Sequence, residues 1–257
     1  MTLDFHIQAY LRRAASRARE TEKIGPFLAT FSPRDDNPYV NYAIPDDGAN
    51  PSSGDVAALV AAYRRRDRIP RLEYIPGLAP AVEAALLSGG FVVEGRTPLM
   101  VYEPDSEQEV LVPPGIELVV PTSDDDLLAM LVAQNEAYGD TAPTPTLEQV
   151  ESRRAFLEAG GIGILARDAL TGEPAGAGGC DVPFKRTTEL VAVGVREKFR
   201  RRGIAAAMTA RLVRAALDAG VTTIFLMAAH EAEARIYARV GFSRVGEVLH
   251  ISHRRNA

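Results

Sequence analysis

The junction between Val193 and Met208, VGVREKFRRRGIAAAM, has the residue types and spacing of an anion site. It passes from a short apolar segment through five basic residues to Gly203 and then to an alanine-rich run. A helix that begins at this glycine has first N–H groups without intrahelical partners, and these carry the positive end of the helix dipole. Glycine and alanine let a ligand approach the backbone, and arginine binds phosphate through paired hydrogen bonds. The junction therefore predicts a phosphate or pyrophosphate site.

The same residues are compatible with a solvated basic turn before an ordinary helix. The apolar positions after the junction favour the anion site, because their spacing predicts a helix that packs on a sheet with its N-terminus at a strand end. These positions are Ile204, Met208, Leu212, Ala215 and Ala219. Other phosphate motifs fit less well: the P-loop pattern GxxxxGK[ST] is absent, and the GxGxxA run at 161–166 ends a helix and enters a strand, the reverse of the required order.

Helices and strands alternate on both sides of the junction, which predicts an α/β protein. In the first half we predict helices at 2–22, 55–67 and 79–88 and strands at 27–31, 39–44, 71–75 and 91–102. In the second half we predict helices at 124–138, 147–158, 203–219 and 231–240, and strands at 116–120, 162–167, 174–182, 189–195, 222–228 and 243–250.

The best candidate for a linker is Pro113-Pro114-Gly115, which predicts two domains, 1–112 and 116–257. The halves are weakly similar: with Gly90-Phe91 over Gly241-Phe242, AVEAALLSGGFVVEGRTPLMVY aligns with AEARIYARVGFSRVGEVLHISH. Two copies of one β-α-β-α-β unit in tandem, the first degenerate, explain this similarity. Chance resemblance between small α/β pieces explains it equally well.

Composition limits the classes of function. The formal net charge of -5 argues against a general nucleic-acid binder, and no apolar run is long enough to cross a membrane. The first residues lack a signal peptide, and the single cysteine, Cys180, allows no intrachain disulfide, so we expect a cytoplasmic protein. We expect Cys180 to be a buried small residue. Only three of the 29 basic residues are lysine, which hints at a GC-rich bacterial source.

Two motifs carry a resemblance to a known family. The run VAVGVREKFRRRGIAAAM resembles the cofactor-binding segment of the GNAT acyltransferase superfamily, in which [Q/R]xxGx[G/A] opens a helix after an apolar strand. Arg200, Gly203 and Ala205 match its defining positions. Farther on, ARIYARVGF resembles the signature in which a helix carries a tyrosine, here Tyr237, shortly before a Gly-Phe pair. The family's frequent asparagine at the start of that helix is absent, and His230 lies nearby.

The resemblance implies the acyl-CoA N-acyltransferase fold from Ile116 onward, a mixed twisted sheet with helices on both faces. It also implies acetyl-CoA as cosubstrate and transfer of its acetyl group to a primary amine by direct attack in a ternary complex. The junction would bind the pyrophosphate through Arg200, Arg201, Arg202, Gly203, Ile204, Ala205 and Ala206. The thioester would lie along the strand 191–195, where a bulge at Gly194 would leave the amide of Val193 or Val195 free to polarise its carbonyl.

The resemblance further implies a proton donor and a base. Tyr237 would protonate the departing thiolate, and its alternative role is that of a packed aromatic. Glu189 would remove the proton of the amine, and its alternative is a solvated carboxylate at a strand end. His230 and Glu231 are other candidates for the base.

Candidate residues for binding the acceptor are identified by their loop position alone. Tyr138 and Asp140 lie in a loop where the family varies its acceptor contacts, and a plain solvent loop is the alternative. We expect a small-molecule amine as the acceptor. The four histidines show no ligand spacing, so no metal is expected. In the first half Leu86 aligns with Tyr237 and RxxGxA is missing, which predicts one active site. A non-catalytic CoA-binding sensor is the alternative function, and a homodimer is left open.

Overall fold

The structure is a computed structural model that describes residues 3–104, 109–139 and 144–253. In chain order its elements are α1 (Leu3–Ala15), β1 (Glu20–Ile24), β2 (Phe27–Phe31), β3 (Ala43–Pro45), α2 (Ser53–Arg64), β4 (Arg71–Tyr74), α3 (Pro80–Ser88), β5 (Phe91–Tyr102), β6 (Ile116–Val119), α4 (Asp124–Ala137), α5 (Leu147–Glu158), β7 (Ile162–Asp168), β8 (Pro174–Cys180), β9 (Thr187–Val195), α6 (Ile204–Asp218), β10 (Thr223–Met227), α7 (Glu231–Ala238) and β11 (Phe242–His253).

The chain forms two compact units. Unit 1 comprises the residues up to Leu99 and those from Val245 onward, and unit 2 is Met100–Arg244. This division differs from domains at 1–112 and 116–257, because it assigns the end of β11 to unit 1. The reason is strand pairing: Leu249 to Ser252 pair antiparallel with Tyr74 to Arg71. The end of the chain therefore completes the unit that its beginning forms.

Unit 1 is built on strands that pair in order from β1 to β4. Strand β1 pairs antiparallel with β2, β2 pairs antiparallel with β3, and β3 pairs in parallel with β4. Its core includes fully buried side chains from α1, α2 and α3, among them Tyr10, Leu59 and Leu86.

Two predictions for unit 1 are wrong in detail. The helix predicted at 2–22 ends at Ala15, because Ala18 adopts a left-handed conformation and the next residues pair with β2 as a strand. The strand predicted at 39–44 is replaced by a short 3-10 turn, Pro38–Val40, and then β3. The side chain of Asn37 accepts a hydrogen bond from the Tyr39 amide and caps that turn.

Unit 2 has a mixed sheet with helices on both faces, as the resemblance implies. The strand order runs β10-β9-β8-β7-β6, in which β9 and β10 are parallel and the other pairs are antiparallel. Neighbouring residues of a strand point to opposite faces. Accordingly, Ile164 packs in the cluster that contains Met208 of α6, whereas Leu165 packs in the cluster that contains Met130 of α4. The predicted order of helices and strands in this half is present.

The helices of the described ranges include none that is both long and apolar enough to span a membrane.

Candidate active site

Strand β9 separates from β10 towards its end and carries a bulge in its pairing with β8. Its parallel pairing with β10 runs from Thr187, opposite Thr223, to Glu189, opposite Phe225, and β9 then continues to Val195. On the other side, Val191 pairs with Gly179 but Gly194 pairs with Ala177. Two residues, Ala192 and Val193, thus lie opposite one, which is a β-bulge. The bulge leaves backbone groups of β9 outside the regular ladder.

Glycines of β8 permit this bulge. A Cβ at Gly178 would lie 2.9 Å from Cγ2 of Val193, and one at Gly176 would lie 2.6 Å from the carbonyl oxygen of Gly194. The predicted bulge is present, but the residue in the left-handed conformation is Ala192, with φ of 53°, rather than Gly194. Gly194 is needed for another reason: its Cβ would lie 2.7 Å from that of Ala137 at the end of α4.

The junction after β9 ends in an uncapped helix. Arg201 and Gly203 both have positive φ, 61° and 83°, and α6 begins at Ile204. Gly203 is the N-cap residue, and no side chain in the described part of the chain caps this end. The first amides of α6 are therefore open at the positive end of the helix dipole.

The three arginines before Gly203 have different surroundings. Arg200 donates from Nε to the carbonyl of Val195 at 3.0 Å and from a terminal nitrogen to the carbonyl of Ala137 at 2.9 Å. It therefore ties the junction to the ends of β9 and α4. The guanidinium of Arg202 lies 5.6 Å from the ring centre of Phe199.

A cleft of about 720 Å³ opens between these elements. Its lining contains nine of the predicted site residues: Tyr138, Val193, Val195, Arg200, Arg201, Gly203, Ile204, Ala205 and Ala206. It also contains Ala137, Gly194, Phe199, His230, Glu233, Ile236 and Arg239. The bulge of β9 and the open end of α6 thus line one cavity. Arg202, Glu189 and Tyr237 are not among the lining residues.

Tyr237 is partly buried on α7, and its ring centre lies 6.0 Å from that of Phe242. Burial raises the pKa of the Tyr237 phenol well above its ordinary value, and the nearby carboxylate of Glu233 and the phenol of Tyr138 add to the shift. The phenol is therefore protonated at neutral pH.

The candidates for the base differ in their contacts. Glu189 is partly buried at the last position of β9 that pairs with β10. Glu231 is exposed and pairs with Arg244 at 3.0 Å. His230 caps α7, since its Nδ1 accepts a hydrogen bond from the amide of Glu233 at 3.2 Å. Of these three residues, only His230 lines the cleft.

Comparison with known proteins agrees with this geometry. Residues 127–242 match the model of the acetyltransferase (GNAT) family. Residues 127–242 form a GNAT domain. Since the family is one of acetyltransferases, this domain is an acyltransferase. None of the curated proteins matches the sequence.

Solved structures share the fold over 90–100% of this chain. A GCN5-related N-acetyltransferase from Kribbella flavida superposes with a TM-score of 0.81 at 22% identity, covering 100% of this chain and 97% of the other. One from Sphaerobacter thermophilus gives 0.67 at 20% identity, with 90% and 78% covered. A tandem GNAT protein from the clavulanic acid biosynthesis pathway gives 0.65 at 14% identity, with 96% and 89% covered. At these identities the likeness shows a shared fold.

Outside the cleft of the GNAT domain, other predicted features have simple accounts. Cys180 is fully buried, and burial raises the pKa of its thiol to about 12. It is therefore a core residue with little thiolate character. Asp140 lies outside the described residues. No cluster of metal-binding side chains is found in the described ranges.

Sequence reasoning missed three residues of the GNAT domain's cleft, two on α7 and one directly after it. Glu233, Ile236 and Arg239 follow one another at intervals of three, the spacing of one helix face. This helical spacing was the feature of the sequence that could have identified them as residues of one face. Glu233 accepts a hydrogen bond from the amide of Ala229 at 2.9 Å, so its carboxylate also stabilises the start of α7.

Proposed function

We propose that the GNAT domain transfers an acetyl group from acetyl-CoA to the primary amine of a small molecule by direct attack. One observation carries this proposal: the open N-terminus of α6 and the bulged end of β9 line the same cleft. The first is suited to an anionic phosphate group, and the second offers a backbone donor for an acyl carbonyl.

The residues of the cleft fit the cosubstrate. The cleft has the volume of an ordinary small-molecule site, which is roughly 300–1,000 Å³. Arg201 and Arg239 add positive charge to the lining beside the amides of α6. The pyrophosphate would be held by the segment from Arg200 to Ala206, and the acyl end by Val193 and Val195. When bound, acetyl-CoA supplies an activated acyl carbonyl.

The backbone of β9 provides electrostatic stabilisation in this proposal. The Val193 amide lies within the bulge, where Ala192 and Val193 of β9 lie opposite a single residue of β8, Gly178. Its N–H stabilises the negative charge that develops on the acyl oxygen, and the amide of Val195 is the alternative donor. One such donor is typically worth about 100- to 1,000-fold in kcat.

Proton transfer is assigned to Glu189 and Tyr237. An aliphatic amine has a pKa of about 10.4, so it must lose a proton to attack near neutral pH. We favour Glu189 as the base because it lies on the bulged strand. Tyr237 donates a proton to the leaving thiolate, a role that its raised pKa supports.

The acceptor site and the setting of the protein are also part of the proposal. Tyr138 lines the cleft and is exposed, so it is available to an acceptor. Asp140 remains a candidate by its position in the sequence. The negative net charge argues against nucleic acid as a partner, and we place the protein in a bacterial cytoplasm.

The first test is calorimetric titration with acetyl-CoA of wild type, Ala205→Glu and Ala205→Gln. Glutamate in the first turn of α6 complements the helix dipole, so it leaves the fold stable while placing a negative charge in the anion site. We expect wild type to bind and Ala205→Glu to lose at least tenfold in affinity, with a smaller loss for the neutral, equally large glutamine.

Equal binding by wild type and Ala205→Glu would place the cofactor elsewhere. If wild type binds but releases no free thiol with any of a panel of amines, the domain is a CoA sensor rather than an enzyme.

A further inference from the structure

A polar network formed by Arg153, Gln134 and the carbonyl of Ala192 lies behind the bulge of β9. Gln134 of α4 donates from Nε2 to the carbonyl of Ala192 at 3.0 Å. Its Oε1 accepts a hydrogen bond from a terminal nitrogen of Arg153 of α5, also at 3.0 Å. Gln134 is only 6% exposed, so these contacts form largely out of water. Hydrogen bonds in such a setting are stronger than at the surface.

Peptide geometry connects this polar network to the cleft. The carbonyl of Ala192 and the N–H of Val193 belong to the same peptide group. The described chain has no cis peptide, and a trans peptide directs its C=O and N–H to opposite sides. Since Gln134 holds the carbonyl on the side of α4, the N–H of Val193 points away from α4. Val193 lines the cleft.

Without this bond the peptide would be poorly fixed. Ala192 is held in the left-handed region, which is unfavourable for a residue with a Cβ. The bulge also removes the peptide from the regular ladder with β8. The bond from Gln134 thus defines the orientation of a strained peptide.

Arg153 gives the polar network a positive charge. It forms no ion pair with any carboxylate in the described ranges, and its guanidinium lies 5.4 Å from the ring centre of Phe156. Burial lowers its pKa, but a guanidinium stays protonated in proteins. A charged donor on Oε1 polarises the amide of Gln134 and strengthens the bond that Nε2 makes to Ala192.

We propose that Gln134 and Arg153 are positioning residues that orient and polarise the Val193 amide as the donor to the acyl oxygen. The inference rests on the proposed function, because it assumes that Val193 acts in acyl transfer. Neither residue lines the cleft, so neither is expected to bind acetyl-CoA.

The test compares Gln134→Met, Arg153→Met and Arg153→Lys with Arg154→Met. Methionine keeps much of the volume and removes the polar contact. Arg154 is the neighbouring residue of α5 and pairs with Asp124, which is not part of this polar network, so it is the matched control. We expect the two interrupting variants to lose about tenfold or more in kcat, within the 100- to 1,000-fold that a whole oxyanion donor is worth. The dissociation constant for acetyl-CoA should change little, and Arg153→Lys should recover part of kcat.

A second readout needs neither ligand nor turnover. The ¹H–¹⁵N resonance of the Val193 amide in the free protein should shift in Gln134→Met and Arg153→Met, and stay unchanged in Arg154→Met. The inference is overturned if this resonance does not move, or if kcat and affinity fall together with thermal stability in all variants. If wild type does not bind acetyl-CoA, the proposed function fails, while the amide resonance still decides whether the polar network orients Val193.

Discussion

At the scale of the residue, the assignment of Tyr237 depends on its protonation state. The phenol is partly buried beside Phe242, and Glu233 is close enough to disfavour the phenolate further. Both effects stabilise the protonated form. An acid that must give its proton to a thiolate is useful only if it holds that proton at the working pH.

We therefore expect Tyr237→Phe to retain acetyl-CoA binding and to lose roughly 100-fold in kcat, the lower range for a general acid. Because the pKa is raised, the proton is held to higher pH than usual. Wild-type kcat should not fall through ionisation of this phenol below about pH 10, the ordinary pKa of tyrosine. A pH profile of steady-state turnover, measured beside calorimetric binding, checks both statements.

Tyr102→Phe is the matched control for this substitution. Tyr102 contacts the same Phe242, with ring centres 5.6 Å apart, and has no proposed part in proton transfer. Full activity in Tyr237→Phe would remove the acid role, and an equal loss in Tyr102→Phe would point to disturbed packing around Phe242.

At the scale of the element, the bulge of β9 depends on the glycines of β8. The strand reads PAGAGGC, and alternate positions without side chains allow β9 to approach where its register shifts. A larger residue there must displace the bulge or the helix packed behind it.

We expect Gly178→Ala to displace Val193, since the new Cβ would lie 2.9 Å from its Cγ2 and 3.3 Å from its Cα. Overpacking of this kind costs about 1–3 kcal/mol of unfolding free energy. Turnover should fall more than acetyl-CoA affinity, because the α6 end is untouched. Denaturant unfolding and kinetics measure the two effects. Gly95→Ala, a strand position in unit 1 whose Cβ would meet nothing within 4 Å, should change neither.

The sequence indicated these elements unequally. The helix after Gly203 was predictable because its apolar face, its glycine and the basic run before it agree. The bulge was predicted from Gly194, yet the strained residue is Ala192, whose conformation depends on contacts from β8 and Gln134. Likewise β1 was not foreseen, because its pairing with β2 overrides a local helical pattern. Contacts distant in sequence decide what local pattern cannot.

At the scale of the whole molecule, the two units differ at equivalent helix starts. The N-terminus of α2 is closed by a capping box, in which Ser52 and Asp55 bond each other's backbone amides. The carboxylate of Asp55 would repel an anion there. The N-terminus of α6 has no such cap. The aligned positions also differ chemically, since Leu86 is fully buried where unit 2 has Tyr237. We therefore assign the anion site to unit 2 alone.

The division into units makes a prediction about fragments. A chain cut at the Pro-Pro-Gly segment, residues 1–112, lacks the end of β11, which pairs with β4 in unit 1. It also lacks His250, whose Nδ1 lies 3.1 Å from a guanidinium nitrogen of the buried Arg71. An exposed strand edge and a buried cation that has lost one of its partners both destabilise a fold.

We expect fragment 1–112 to show no cooperative thermal transition by circular dichroism, while the full chain unfolds cooperatively. Strand pairing makes the last residues from Val245 necessary, so the informative control is fragment 1–112 with 242–253 fused to its C-terminus through a flexible linker. That fusion restores the partner of β4 and should recover at least part of the transition. Cooperative unfolding of the unfused fragment at the temperature of the full chain would show that unit 1 is complete without β11, and the domain boundary would return to the Pro-Pro-Gly segment.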